Sequence, residues 1–116
     1  MTNLIATALI LILSAENADN NTVSKSGARG IYQEKACLIA DVNRIYHRQY
    51  KPEDAHDPIK AKNIAVMFLT HQIKLGVKDA DTLARIWSVG RHNALQHHGG
   101  YWYCQRAIRL SGRKKV

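Results

Sequence analysis

Residues 4–17 read LIATALILILSAEN, and the fold turns on whether this run is a secretory leader, a membrane anchor or the first core helix. From Leu4 to Leu13 only Thr7 interrupts the apolar side chains. A helix that spans a bilayer needs roughly 20 apolar residues, so length argues against an anchor. A secretory leader suits the run better. Yet no Lys or Arg precedes it, and a cut after Ala15 would put bulky Leu13 where a small residue is required. A buried helix competes with the leader, although a helix packed on one side would carry a polar stripe that is missing here. In the helix reading, Glu16 stands where an apolar rod meets a polar loop.

Beyond that junction the composition changes. Residues 16–33, ENADNNTVSKSGARGIYQ, are rich in Asn, Asp, Ser and Gly, which predicts a loop or short hairpin. Glu34 to about His47 predicts a helix, because Leu38, Val42, Ile45 and Tyr46 share one face. YKPEDAHDP is a connector that ends in Asp57 and Pro58, a capping residue followed by a first-turn proline. The next helix is predicted over Pro58 to Leu75, with Gly76 as its stop. A shorter one starts at Asp79 or Asp81, carries Leu83, Ile86 and Trp87, and ends near Gly90. RHNALQHHGG is expected to be loop, and Tyr101 to about Leu110 a last helix. The expected architecture is mainly α: one domain of about five helices over residues 1–111, a Gly-rich loop after the first helix, and a basic tail at residues 112–116.

Seventeen Lys and Arg oppose nine Asp and Glu, a formal net charge of +8. Such a chain favours an anionic partner: nucleic acid, an acidic membrane face or cell wall. Arg106, Arg109, Arg113, Lys114 and Lys115 would make the end of the chain basic, so a nucleic-acid-binding role stands as one alternative. Cys37 and Cys104 lack a CxxC spacing; one bridge and two buried thiols are both open. His92, His97 and His98 cluster without a metal-binding motif, and no metal or cofactor is expected. GARG at residues 27–30 lacks the Lys-Ser/Thr of a phosphate loop. Among the carboxylates, one flanked by apolar groups is held in its protonated form near neutral pH, the property a general acid for glycoside cleavage needs. Glu16 is the candidate, and an ordinary solvated helix-end carboxylate is the plain alternative.

Glu16, Val23-Ser24, Gly27, Gly30 and Gln33 together resemble the lysozyme-like superfamily of goose-type lysozymes and lytic transglycosylases. That superfamily ends a core helix in Glu and follows it with a loop and a Gly-x-x-Gly-x-x-Gln signature. The segment between Glu16 and the loop is about one residue short of the commoner version. ACLIADVNRIYHRQYKPEDAHDP, LARIW and the pair Tyr101-Trp102 look like a small phage and bacterial branch, so the resemblance runs from about Leu4 to Arg106.

The resemblance implies that Glu16 is the general acid that protonates the glycosidic oxygen of peptidoglycan. It implies that Ser24 lies beside it, that Tyr32 and Gln33 line the cleft, and that Trp87, Ser88 and Tyr101 complete the substrate site. No cofactor is implied, and the setting would be periplasmic, extracellular or virion-associated. Asp19 and Asp41 are positional candidates for a second carboxylate, but related transglycosylases manage with one Glu assisted by the sugar's N-acetyl group. The chain departs from the pattern at Trp87-Ser88-Val89-Gly90-Arg91, where relatives carry Asn after the aromatic residue and then Gly. The missing Asn removes an amide that both donates and accepts, which makes a non-catalytic peptidoglycan-binding module the second alternative. With the signature in place, residues 4–17 read as the retained central helix.

Overall fold

The structure, a computed structural model, describes residues 2–96 and is mainly helical. Those residues fall into two compact units, one drawn from residues 2–15 with 72–96 and the other from Glu16–His71. The expected last helix from Tyr101, the residues Tyr101, His97, His98 and Cys104, and the basic tail lie outside the described residues.

In the first unit, α1 (Thr2–Glu16) begins the chain and contributes its residues up to Ala15. Ala8, Leu9, Ile12 and Ala15 are buried, whereas Ile10 turns outward. Among the described residues, the exposed positions of α1 are Asn3, Ala6, Thr7 and Ile10, so its solvent side mixes polar with apolar groups and carries no continuous polar stripe. Thr7 bonds back to the Asn3 carbonyl at 2.9 Å, which satisfies its hydroxyl inside the helix. No helix among the described residues is long and apolar enough to cross a membrane.

The same unit holds α4 (Ala80–Val89) and α5 (Arg91–Gln96). Asp79 starts α4 by accepting from the Thr82 amide at 3.0 Å, which satisfies one of the open amides of the first turn. Leu83, Ala84, Ile86 and Trp87 form its buried face. Gly90, at φ 88, stops α4. The loop expected over RHNALQ is instead α5. Gly90 ends one helix and its carbonyl opens the next, accepting from the Ala94 amide at 3.0 Å. Asn93 reaches back to the Val89 carbonyl at 3.1 Å, and Ala94 is buried. A single buried residue in a polar hexamer gave no periodicity to read.

The second unit begins at Glu16 and carries a small double hairpin over residues 23–34, in which Arg29 bridges first to Val23 and then to Glu34, followed by α2 (Ala36–Tyr46), a 3-10 turn (Pro52–His56) and most of α3 (Pro58–Lys74). The helix expected from Glu34 starts at Ala36, because Glu34 pairs its backbone with Arg29 in both directions, at 2.8 and 3.0 Å. Leu38, Ile39 and Val42 are the buried face of α2, while Cys37 faces out as an exposed free thiol, so of the two readings left open, two buried thiols does not hold for Cys37. Asn43 binds both backbone groups of Tyr50, donating at 2.8 Å and accepting at 2.9 Å, so the chain after α2 folds back along it. Asp57 caps α3 by accepting from the Ile59 and Lys60 amides at 2.9 and 3.1 Å. Ala61, Ile64, Ala65 and Leu69 carry the buried face of α3. Burying a side chain of the size of Ile64 or Leu69 stabilises by about 1.5–3 kcal/mol.

Candidate active site

The candidate site grows from the end of α1. Glu16 is its last residue and is half-buried. Asn17, at φ 48, then turns the chain out of the helix; Asn tolerates this left-handed conformation better than most residues. The loop closes on itself through Asp19, whose carboxylate accepts from the Thr22 hydroxyl and the Asn21 amide, both at 2.9 Å. Those bonds hold the Asp19 carboxyl below the ordinary range. A carboxylate stabilised in its charged form is unsuited to donate a proton. Asp41 is exposed and lies 3.8 Å from Arg44, an arrangement of α2's surface.

The hairpin follows. Ser24 and Ala28 close its tip: the Ser24 amide donates to the Ala28 carbonyl at 2.9 Å, and the Ala28 amide donates to the Ser24 hydroxyl at 3.1 Å. The Ser24 hydroxyl also meets that of Ser26 at 3.0 Å. Gly27 (φ +87) and Gly30 (φ +79) both adopt backbone that side chains resist. Only Gly30 also faces a close neighbour, since a Cβ there would overlap the Ala55 carbonyl oxygen. Gln33 is buried, and its amide nitrogen donates to the carbonyls of Gly30 at 2.8 Å and Thr22 at 3.3 Å. The signature glutamine thus braces the hairpin against the loop that leaves Glu16.

The carboxyl that sequence reasoning missed is Glu34. It is 1% exposed, and neither side-chain oxygen has a hydrogen-bond partner among the described residues. Burial pushes its pKa up to about 9, so it is a neutral acid at neutral pH. Its neighbour Tyr32 is also buried, and burial first, then the Glu34 carboxyl, raises the phenol's pKa. No signal in the sequence pointed to Glu34, because its position beside a helical pattern made it look like a first-turn residue. Being enclosed, Glu34 cannot itself meet a polymer.

Ser24, Tyr32, Gln33 and Glu34 therefore share one hairpin, in the unit that Glu16 opens. Trp87 and Ser88 belong to α4 in the other unit, Trp87 buried and Ser88 half-buried. Just beyond them Arg91 donates to the Gln72 side-chain oxygen at 2.9 Å and approaches the Leu75 carbonyl at 3.5 Å. A cavity of about 290 Å³ lies beside it, lined by Val77, Lys78, Thr82 and Leu95 among others.

No protein-family profile, curated protein or solved structure matches this chain.

Proposed function

We propose that this protein cleaves the glycan strand of peptidoglycan, as a lysozyme or lytic transglycosylase, with Glu16 as the general acid. The observation that carries the reading is the order Glu16, Ser24, Gly27, Gly30, Gln33 on a helix exit followed by a hairpin. The signature positions have structural work there that suits a rigid wall beside an acid: two left-handed glycines and a buried amide joining hairpin to loop. In the reaction, protonated Glu16 gives its proton to the glycosidic oxygen as the bond from that oxygen to the anomeric carbon breaks. The sugar's N-acetyl oxygen supports the developing positive charge. Water then yields a reducing sugar, or the sugar's own hydroxyl yields an anhydro product; both outcomes use the same acid. The net charge of +8 favours encounter with an acidic polymer at low salt. The setting would be the periplasm, the cell exterior or a virion.

Clearing of purified cell wall tests the reading. Wild type should release soluble muropeptides, and Glu16→Gln should lose roughly 10²–10⁴-fold, the usual contribution of a general acid. Equal clearing by the two proteins removes Glu16 from the mechanism.

A second reading, a module that holds peptidoglycan without cutting it, is favoured by Arg91. The lysozyme-like proteins that this chain resembles carry Asn directly after the aromatic residue, whereas here Ser88 follows Trp87 and the nearby Arg91 donates to the Gln72 side chain. Retention on cell wall without released products would select this reading.

A further inference from the structure

The contacts around one imidazole carry a step further, which deepens the glycosidase reading and rests on it. We propose that His56, held as its Nδ1–H tautomer, is the positioning residue that fixes the loop leaving Glu16. His56 sits at the end of the 3-10 turn, and its Nδ1 lies 2.7 Å from the Asn20 carbonyl oxygen, 36 residues away in sequence. A carbonyl can only accept, so Nδ1 carries the proton. That leaves Nε2 as the acceptor, and Nη1 of Arg29, which can only donate, lies 3.3 Å from it. Two independent contacts agree on one tautomer.

Each partner is tied to a different part of the site. Asn20 belongs to the loop that begins at Asn17, directly after Glu16. Arg29 is fixed by its two backbone bonds to Glu34 in the hairpin. The imidazole, at the end of the 3-10 turn, therefore joins that turn to the loop at Asn20 and to the hairpin at Arg29. The Gln33 amide joins loop and hairpin only at Thr22, the far end of the loop. Without His56, the described hydrogen bonds leave residues 17–21 held by their own turn at Asp19 alone. Glu16 ends α1 and hands the chain to this loop, so a shift of the loop carries to the helix end that bears the acid, and misplacement of about 1 Å can cost roughly 10²-fold in rate.

The experiment uses the full chain labelled with nitrogen-15. Long-range proton–nitrogen correlation of His56 should show a protonated Nδ1 and a bare Nε2; the reverse tautomer overturns the proposal. Three variants then separate positioning from stability: His56→Leu, which removes both contacts, His56→Asn, which keeps a donor near the Nδ1 position, and His56→Gln, which keeps an acceptor near Nε2. His56→Leu should speed amide exchange at Asn21 and Thr22 and lower kcat by about 10- to 100-fold at little change in KM, with His56→Asn recovering most of both. A lowered melting temperature with kcat and exchange unchanged would make His56 merely structural and sink the idea. If Glu16→Gln clears cell wall like wild type, the glycosidase reading falls on that result, and the tautomer and exchange measurements still decide whether His56 fixes the loop.

Discussion

Gly30 lies with its backbone directly against the carbonyl of Ala55, so close that a methyl group on Gly30 would occupy the space of that oxygen. Ala55 is fully buried in the 3-10 turn and cannot withdraw without moving the chain around it. Gly27, three positions earlier in the signature, shares the left-handed conformation but faces open space.

The two glycines should therefore respond differently to alanine. Gly27→Ala should cost about 1–2 kcal/mol, the strain of a left-handed non-glycine residue. Gly30→Ala should cost clearly more, because overlap adds to strain. Urea denaturation of both variants checks the ranking, and equal losses would mean that the Gly30–Ala55 approach is relaxed in solution.

Glu34 predicts a slope in stability with pH. Its pKa moves from the ordinary 4.5 to about 9 on folding, so between those values the folded chain binds more protons than the unfolded one. Stability from this group is complete below about pH 4.5 and is lost as pH rises towards 9, at up to about 1.4 kcal/mol per unit. Glu34→Gln should flatten that slope and raise stability at pH 8 relative to wild type. Denaturation midpoints at pH 5 and pH 8 give the answer; a wild-type profile that is flat over this range would place the carboxyl in solvent or beside a cation.

Asp79 predicts a local effect. It accepts from the Thr82 amide and hydroxyl at the start of α4, so Asp79→Ala should cost about 1 kcal/mol, within the usual range for a lost cap. Asp79→Ser should restore most of it. Thermal melts of the pair check this, and no change with Ala would mean that α4 is held by its apolar face alone.

Arg91 predicts a difference between shape and charge. Its guanidinium reaches Gln72, whose side chain is buried. Arg91→Ala should cost about 1.5–3 kcal/mol, the range for a hydrogen bond to a charged group. Arg91→Lys should recover only part, since an ammonium cannot reproduce the planar fork that also approaches the Leu75 carbonyl. Chemical denaturation separates the two, and full recovery by Lys would show that charge alone matters.

The helical frame was legible where local chemistry marks an end. Asp57 with Pro58, Gly76 after α3, Asp79 before α4 and Gly90 after it are all capping signals, and each stands within a residue or two of an observed boundary. The outward side of α2 was harder: Cys37 precedes the stripe residue Leu38 by one position, a turn of about 100° around the helix, and so faces away from it. α5 was missed because its length and polarity left almost no pattern. The candidate site was legible only as an order of residue types along the chain. What holds it together is non-local: Arg29 to His56 and Asn20 to His56 join residues 27 and 36 positions apart. Glu34 escaped notice for a related reason, since burial of a carboxyl is decided by what the fold packs over it.

That enclosed carboxyl also couples motion to protons. Any opening of the hairpin that wets Glu34 near neutral pH lets it ionise and release a proton, because its pKa then returns towards the ordinary value. The open population should consequently grow up to about tenfold for each pH unit between 4.5 and 9, beyond the intrinsic pH dependence of amide exchange. The Arg29 and Glu34 amides, each bonded to the other's carbonyl, are the places where that breathing would be counted.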